Sequence, residues 1–367
     1  MSDKITPINM PVWGMTMEVG TLAVWHVSEG DTISVGQDLM DVETDKIANV
    51  VEATDAGLLR RKIGEEGTVY PVKAMLGIMA PAEVSDEEID AYIAAYDGPS
   101  LDDIAVDDTE PSYEFIDTPS GRLRYAVRPG EGRAVIFVHG FGGDIDNWLF
   151  NIDAISGPAY AFDFPGHGQS VKEMINPGLE SMSDTLEQFI DAMGLKEVTL
   201  VGHSMGGLVS ANFALRGGDI VKSLTLISPA GLGEDISGDY IDGFVSARAR
   251  RDLKPVLQML FVDPNLLTRA LIDDVLKYRR LDGVQETLES LSAAIFPNGK
   301  QSSVLADQLG QLDMPIQVIW GAEDKIVPAA HAHAIDGASV EIIEDIGHVV
   351  QMEATARVNE LINAQIK

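Results

Sequence analysis

Four residues stand where their types and surroundings could do chemistry. Ser204 lies in Gly202-His203-Ser204-Met205-Gly206-Gly207, after the apolar run 198–201 and before a helical stretch. Gly-x-Ser-x-Gly between a strand and a helix has the form of a nucleophile elbow, whose glycines permit a strained turn that lifts the hydroxyl clear of the backbone. A serine hydroxyl attacks only when a base takes its proton, and an acid must orient that base. Asp324 follows the strand ending at Trp320-Gly321, and His348 follows the strand 340–343. Glu323 and Asp345 are alternative acids. The fourth residue, Lys46, closes Asp41-Val42-Glu43-Thr44-Asp45-Lys46 and separates the β-rich stretches 39–42 and 48–52. A lysine on an exposed tight turn can carry a covalent arm, because an attaching enzyme can reach it and the arm can swing.

The bulk numbers set limits. A chain of 367 residues, 45% of them hydrophobic, can build two domains, each with its own core. A formal charge of -32 argues against nucleic acid and against an anionic membrane as partners. With no cysteine there are no disulfides, thiolate nucleophiles or cysteine metal sites. No apolar run reaches the roughly 18 residues of a membrane span, and Met1-Ser2-Asp3-Lys4 leads into no signal-type core. A cytoplasmic protein is expected. No metal site is expected either, since His331 and His333 at i, i+2 on a helix face different ways. His26, His167 and His203 read, with these two, as surface or packing residues.

The elements that must position these groups fall into three segments. Residues 1–80 read as short strands between Gly and acidic turns, and they repeat at an offset of 37 residues: Gly20/Gly57, Leu22/Leu59, Glu29/Glu66, Gly30/Gly67, Val35/Val72 and Leu39/Leu76. Two similar four-strand halves predict a small β-sandwich with pseudo-twofold symmetry. Residues 81–112 form an acidic linker: 13 of the chain's 58 acids fall in 82–117, without one Lys or Arg, so the stretch should be solvated. Within it, Ser85 and Glu88 make a capping-box pattern. Ile89, Tyr92, Ile93 and Tyr96 then follow at helical spacing, predicting one short amphipathic helix that folds back on a domain or docks a partner. Residues 98–112, rich in Pro, Asp and Ser, are expected to be disordered, with a reach of roughly 50 Å.

From 113 to 367 strands and helices alternate. A hairpin is expected from 113–115 and 122–127, buried parallel strands at 134–138, 159–162, 198–201, 223–227 and 316–320, and helices at 183–193 and 206–215. That is a doubly wound, mostly parallel sheet. Between about 232 and 311 strands give way to helical segments, as in an inserted lid.

The chain order Ser204, Asp324, His348 resembles the α/β-hydrolase family over about residue 113 to the end. That family places an oxyanion loop after its third strand, where His139-Gly140-Phe141-Gly142-Gly143 stands here. The resemblance implies Phe141 and Met205 N–H groups as oxyanion donors, with His139 bracing the loop. Asp163-Phe164-Pro165-Gly166-His167-Gly168-Gln169-Ser170 resembles a loop motif that is structural in the same family. The N-terminal segments 10–15, 27–31 and 43–46 resemble lipoyl domains, which implies lipoate on Lys46. Biotin carriers usually flank their lysine with methionines, whereas Asp45 and Ile47 stand here.

A lipoyl domain joined to an α/β-hydrolase domain resembles the acyltransferase (dihydrolipoyllysine-residue acetyltransferase) components of acetoin dehydrogenase complexes. The resemblance implies transfer of acetyl from the dihydrolipoyl arm to coenzyme A. It also implies as partners a thiamine-diphosphate-dependent dehydrogenase component and a dihydrolipoyl dehydrogenase, within a homo-oligomer. The chain departs from 2-oxo-acid dehydrogenase acyltransferases in two ways: their His-x-x-x-Asp-Gly signature is absent, and its linker carries no basic subunit-binding domain. Two other readings remain. One is a thioesterase or carbon–carbon-bond hydrolase with an attached lipoyl module; the other is a carrier with a vestigial elbow.

Residues 248–280 hold eight of the 26 basic residues against four acids. Guanidinium forks suit phosphate, which makes Arg250 and Arg251 candidate contacts for coenzyme A phosphates; a solvated helix face is the plain alternative. Reversing charge at both should raise the Michaelis constant for coenzyme A while sparing hydrolysis of a simple ester. Equal loss of the two activities rejects the idea.

Overall fold

The computed structural model describes residues 4–11, 19–43, 48–96, 98–99, 112–267 and 269–366. The chain divides into two compact units, Met1–Asp108 and Thr109–Lys367.

In the first unit, β1 (Thr6–Asn9), β2 (Val19–Trp25), β3 (Thr32–Ile33), β4 (Asp38–Glu43), β5 (Ala48–Glu52), β6 (Gly57–Lys62), β7 (Thr68–Pro71) and β8 (Met75–Met79) form two sheets. Their orders are β1-β8-β6-β3 and β5-β4-β2-β7. The 37-residue repeat explains this interleaving, since it maps β2 onto β6, β3 onto β7 and β4 onto β8. Each sheet therefore holds strands from both halves. Leu22 and its counterpart Leu59 are fully buried in the shared core, as are Met40 and Leu76. Gly30 and Gly67, also 37 apart, both turn with positive φ (93° and 81°), where a side chain would be strained.

Helix α1 (Asp86–Ala94) carries the capping box: Glu88 N–H donates to Ser85 Oγ at 3.2 Å, and Ser85 N–H to Glu88 Oε2 at 3.0 Å. Ile89 is fully buried against Ile5, Met75, Ile78 and Val84. Arg60 and Arg61 reach Asp86 and Asp90. The amphipathic face thus folds back on the first unit. Most of 98–112, expected to be disordered, lies outside the described residues.

The second unit has one eight-stranded sheet of β9 (Ser112–Thr118), β10 (Gly121–Arg128), β11 (Ala134–Val138), β12 (Ala159–Phe162), β13 (Val198–His203), β14 (Val221–Ile227), β15 (Ile316–Gly321) and β16 (Ser339–Ile343). Its order is β16-β15-β14-β13-β11-β12-β10-β9. β10 pairs antiparallel with β9 and β12, and the other pairs are parallel. Alternation along β11 shows why its run is apolar throughout. Ile136 and Val138 point to one core with α2 (Leu179–Ala192) and α3 (Met205–Arg216), while Val135 and Phe137 point to another with Trp148, Val358 and Ile362. The latter two lie on α10 (Thr355–Ile366), which follows the short α9 (Val350–Glu353). Helix α2 starts four residues earlier than its periodicity predicts, because Leu179 and Met182 extend its apolar stripe to Gly178.

Between β14 and β15 come α4 (Gly238–Ser246), α5 (Arg250–Leu257), α6 (Arg269–Arg279), α7 (Val284–Ile295) and α8 (Ala306–Leu309). Among the described residues no helix is long and apolar enough to cross a membrane.

Phe189 on α2 stacks on Phe162 at 4.7 Å and meets Tyr125 edge-on at 5.8 Å, with no exposed surface. Phe189→Ala should destabilise the second unit by about 3–5 kcal/mol. Urea unfolding monitored by near-UV ellipticity measures this, and a loss under about 1 kcal/mol would mean that the site collapses around the deletion.

Candidate active site

Parallel strands end on one edge of the sheet, and there β13, β15 and β16 deliver the three expected groups. Ser204 follows β13 directly with φ 53° and ψ -120°, a strained conformation for a residue with a side chain. Its backbone is pinned on both sides: its N–H donates to Ile227 O at 3.0 Å, and its carbonyl accepts from Gly207, Leu208 and Ala230. Glycines make the turn possible. A Cβ on Gly202 would lie 2.5 Å from Gly206 O, and one on Gly206 would collide with the carbonyl oxygens of Val138 and His139.

Asp324 and His348 sit on the loops after β15 and β16. His348 Nδ1 lies 2.8 Å from Asp324 Oδ2, with both side chains almost wholly buried. The carboxylate also accepts from Ile326 N–H (2.8 Å), Val327 N–H (3.0 Å) and Trp320 Nε1–H (3.0 Å). Burial alone would raise its pKa. The charge and hydrogen bond of His348 and the two backbone donors outweigh burial, holding Asp324 below the ordinary carboxylate range. Glu323 and Asp345 are exposed, so Asp324 is the acid that the geometry selects.

Ser204, His348 and the loop 140–143 line one cleft. Its remaining walls are mostly apolar and come largely from the helical insertion, among them Ile241, Phe244, Leu257, Phe261 and Phe296. Phe141 is clamped edge-on by Phe244 (5.8 Å) and Phe296 (6.0 Å). Among the described residues, neither the Phe141 nor the Met205 N–H has a hydrogen-bond partner, as suits donors reserved for an oxyanion. Met205 also begins α3, whose N-terminal dipole end favours negative charge.

His139 ties the oxyanion loop to its neighbour. Phe164 N–H donates to its Nε2 at 3.1 Å, so Nδ1 carries the proton and donates to Gly140 O at 2.8 Å. Burial holds its pKa down to about 4, keeping it neutral. The motif starting at Asp163 is equally structural: the buried carboxylate accepts Ile145 and Gln169 N–H groups, each at 2.8 Å.

Sequence reasoning missed two groups. Trp320 holds the same Asp324 oxygen that His348 uses, and His203, read as a surface or packing residue, donates to the His348 carbonyl. Neither shows in periodicity, because each acts across a loop. The candidate phosphate contacts lie outside this cleft: Arg250 is paired with Asp273, and Arg251, with an 88% exposed side chain, with Asp252 at 3.1 Å. Lys46 lies outside the described residues. The strands before and after it, β4 and β5, pair antiparallel through Glu43 and Ala48.

A carboxyl held low in the native state binds fewer protons there than in the unfolded chain. Its stabilisation is complete above the unfolded value of 3.8 and fades as pH falls through the native value. Asp324→Asn should lower the urea midpoint more at pH 7 than at pH 3, and should cut turnover about 10³–10⁴-fold. An equal midpoint loss at both pH values contradicts this account.

Comparison with known proteins agrees with both halves. Residues 133–355 match the α/β hydrolase fold family, and residues 6–78 the family described as biotin-requiring enzymes, whose members include lipoyl domains. The meta-cleavage product hydrolase from Pseudomonas fluorescens superposes with a TM-score of 0.62 at 25% identity, over 68% of this chain and 96% of that one. The dihydrolipoyllysine-residue acetyltransferase component of the acetoin cleaving system of Cupriavidus necator is 47% identical over 100% of this chain and 98% of its own length. The component of the same name from Pseudomonas putida is 40% identical, over 99% of each chain. The chain therefore belongs to the family of dihydrolipoyllysine-residue acetyltransferase components of acetoin cleaving systems.

Proposed function

We propose that the chain transfers acetyl from a lipoyl arm on Lys46 to coenzyme A by a ping-pong route through Ser204. Lipoate, bound there, supplies the thioester that donates the acetyl group. Ser204 Oγ gives its proton to His348 and attacks the acetyl carbonyl, while Phe141 and Met205 N–H groups hold the oxyanion. The C–S bond then breaks, and the leaving thiolate takes the proton from His348. Asp324 stays ionised throughout, orienting the imidazole and stabilising its charged form. The coenzyme A thiol next gives its proton to His348, its sulfur attacks acetyl-Ser204, and the serine oxygen leaves and is reprotonated. One acetyl has moved between two thiols with no net gain or loss of protons.

The observation that carries this reading is that His348, paired with the buried Asp324, lines one cleft with Ser204. Water would divert acetyl-Ser204 to acetate, and the apolar walls from the insertion disfavour it. Hydrolysis is the runner-up, favoured by the likeness to a meta-cleavage product hydrolase. In the fuller reading the chain works in the cytoplasm as a homo-oligomer. There it is loaded by a thiamine-diphosphate-dependent dehydrogenase component, and its arm is reoxidised by dihydrolipoyl dehydrogenase.

Ser204→Ala should reduce acetyl transfer to coenzyme A by more than about 10³-fold. Lys46→Arg should abolish transfer from the loaded chain yet leave hydrolysis of a small acetate ester within about twofold. Intact mass after incubation with the acetyl donor should place one acetyl on Ser204. Release of free acetate faster than acetyl-coenzyme A would favour the hydrolase.

A further inference from the structure

We propose that His203 is a positioning residue that sets the general base over the nucleophile, a role that rests on the reading of Ser204 and His348 given above. Its place in the chain is the first reason. His203 directly precedes Ser204, so its backbone moves with the elbow, yet its side chain reaches 145 residues along the chain to His348. Nε2 lies 3.0 Å from the His348 carbonyl oxygen. A carbonyl only accepts, so Nε2 carries the proton and Nδ1 is a bare lone pair.

Surroundings give the second reason. Nδ1 is buried without a partner among the described residues. It faces Gly140, where a Cβ would sit 3.1 Å from Nδ1 and 3.1 Å from the Ser204 Cβ. Burial, with the neighbouring His348, holds the imidazole down to about 3, so its tautomer persists through the neutral range. An unsatisfied buried acceptor is costly, and an apolar side chain of similar size would avoid that cost. What the imidazole adds over such a side chain is the bond to His348.

The partner contacts complete the argument. The His348 N–H donates to Leu260 O at 2.9 Å, and a Cβ on Gly347 would lie 2.7 Å from that same oxygen. The peptide of the base is therefore gripped twice, through its N–H by the helical insertion and through its carbonyl by the residue beside the nucleophile. The His203 and His348 rings lie 4.8 Å apart at 54°. A base held this way keeps its register with Ser204, because one of its two anchors belongs to the elbow itself.

The test compares His203→Leu, His203→Gln and His203→Asn in the full-length lipoylated chain, assaying acetyl transfer to coenzyme A. Leucine removes the donor and should lower kcat about 30- to 100-fold, with KM for coenzyme A within about twofold. Glutamine carries an amide nitrogen as far out as Nε2 and should return kcat to within about fivefold of the parent. Asparagine carries its nitrogen near the Nδ1 position, cannot reach the carbonyl, and should stay as slow as leucine. Labelling of Ser204 by an organophosphonate should follow the same order. Equal activity of the Gln and Asn variants overturns the proposal, as does a loss confined to KM or a Leu variant within threefold of the parent. If His203→Leu does not fold, the Gln–Asn pair decides alone. Should Ser204→Ala leave transfer intact, the serine mechanism fails; if it abolishes transfer while His203→Leu is silent, only the positioning role fails.

Discussion

A buried carboxylate against a buried imidazole is the constraint on which the catalytic unit depends. Taken from water, Asp324 would protonate rather than ionise unless compensated. Compensation comes from four donors: the His348 ring, the Trp320 indole and the N–H groups of Ile326 and Val327. Three of them lie within four residues of Asp324 in sequence, so the end of β15 and the loop after it build their own anion site. The fourth arrives from the loop after β16, bringing the imidazole to a fixed place. Removing the charge would leave those donors aimed at nothing.

Ser204 and His348 come to one cleft because the sheet is parallel at its centre. β13, β15 and β16 run the same way, so the residues that leave their carboxyl ends converge on one edge. The strained backbone of Ser204 is tolerated because three N–H groups hold its carbonyl and a neighbouring strand accepts its N–H. Over this edge the helical insertion lays an apolar roof. That roof suits a transferase more than a hydrolase, since acyl transfer needs a thiol to reach an acyl-serine before water does.

The same insertion reaches into the machinery at two points. Phe244 and Phe296 clamp Phe141, whose N–H is a proposed oxyanion donor, and Leu260 accepts the His348 N–H. The insertion thus touches both the loop 140–143 and the backbone of His348. His139 ties the oxyanion loop from below to the stretch starting at Asp163.

Much of this was legible in the residues. The offset of 37 contained the interleaved sheets of the first unit, because pseudo-twofold symmetry leaves equal spacing between equivalent Leu and Gly positions. Apolar runs marked β11 to β15, since strands covered on both faces have no polar side. The serine announced itself through glycines that only a tight elbow requires. Contacts across loops were not legible. Asp324 was favoured by its place after a strand, but Glu323 and Asp345 stayed open as alternatives until the fold buried the first and exposed the other two. Arg250 stood as a phosphate contact until helix packing set Asp273 beside it. His203 looked inert because hydrogen bonding across 145 residues leaves no periodic trace. Local covalent geometry and side-chain period are properties of neighbouring residues, so they can be read along the chain. Which polar atoms lose water, and which partners replace it, depends on distances that exist only once the chain has packed.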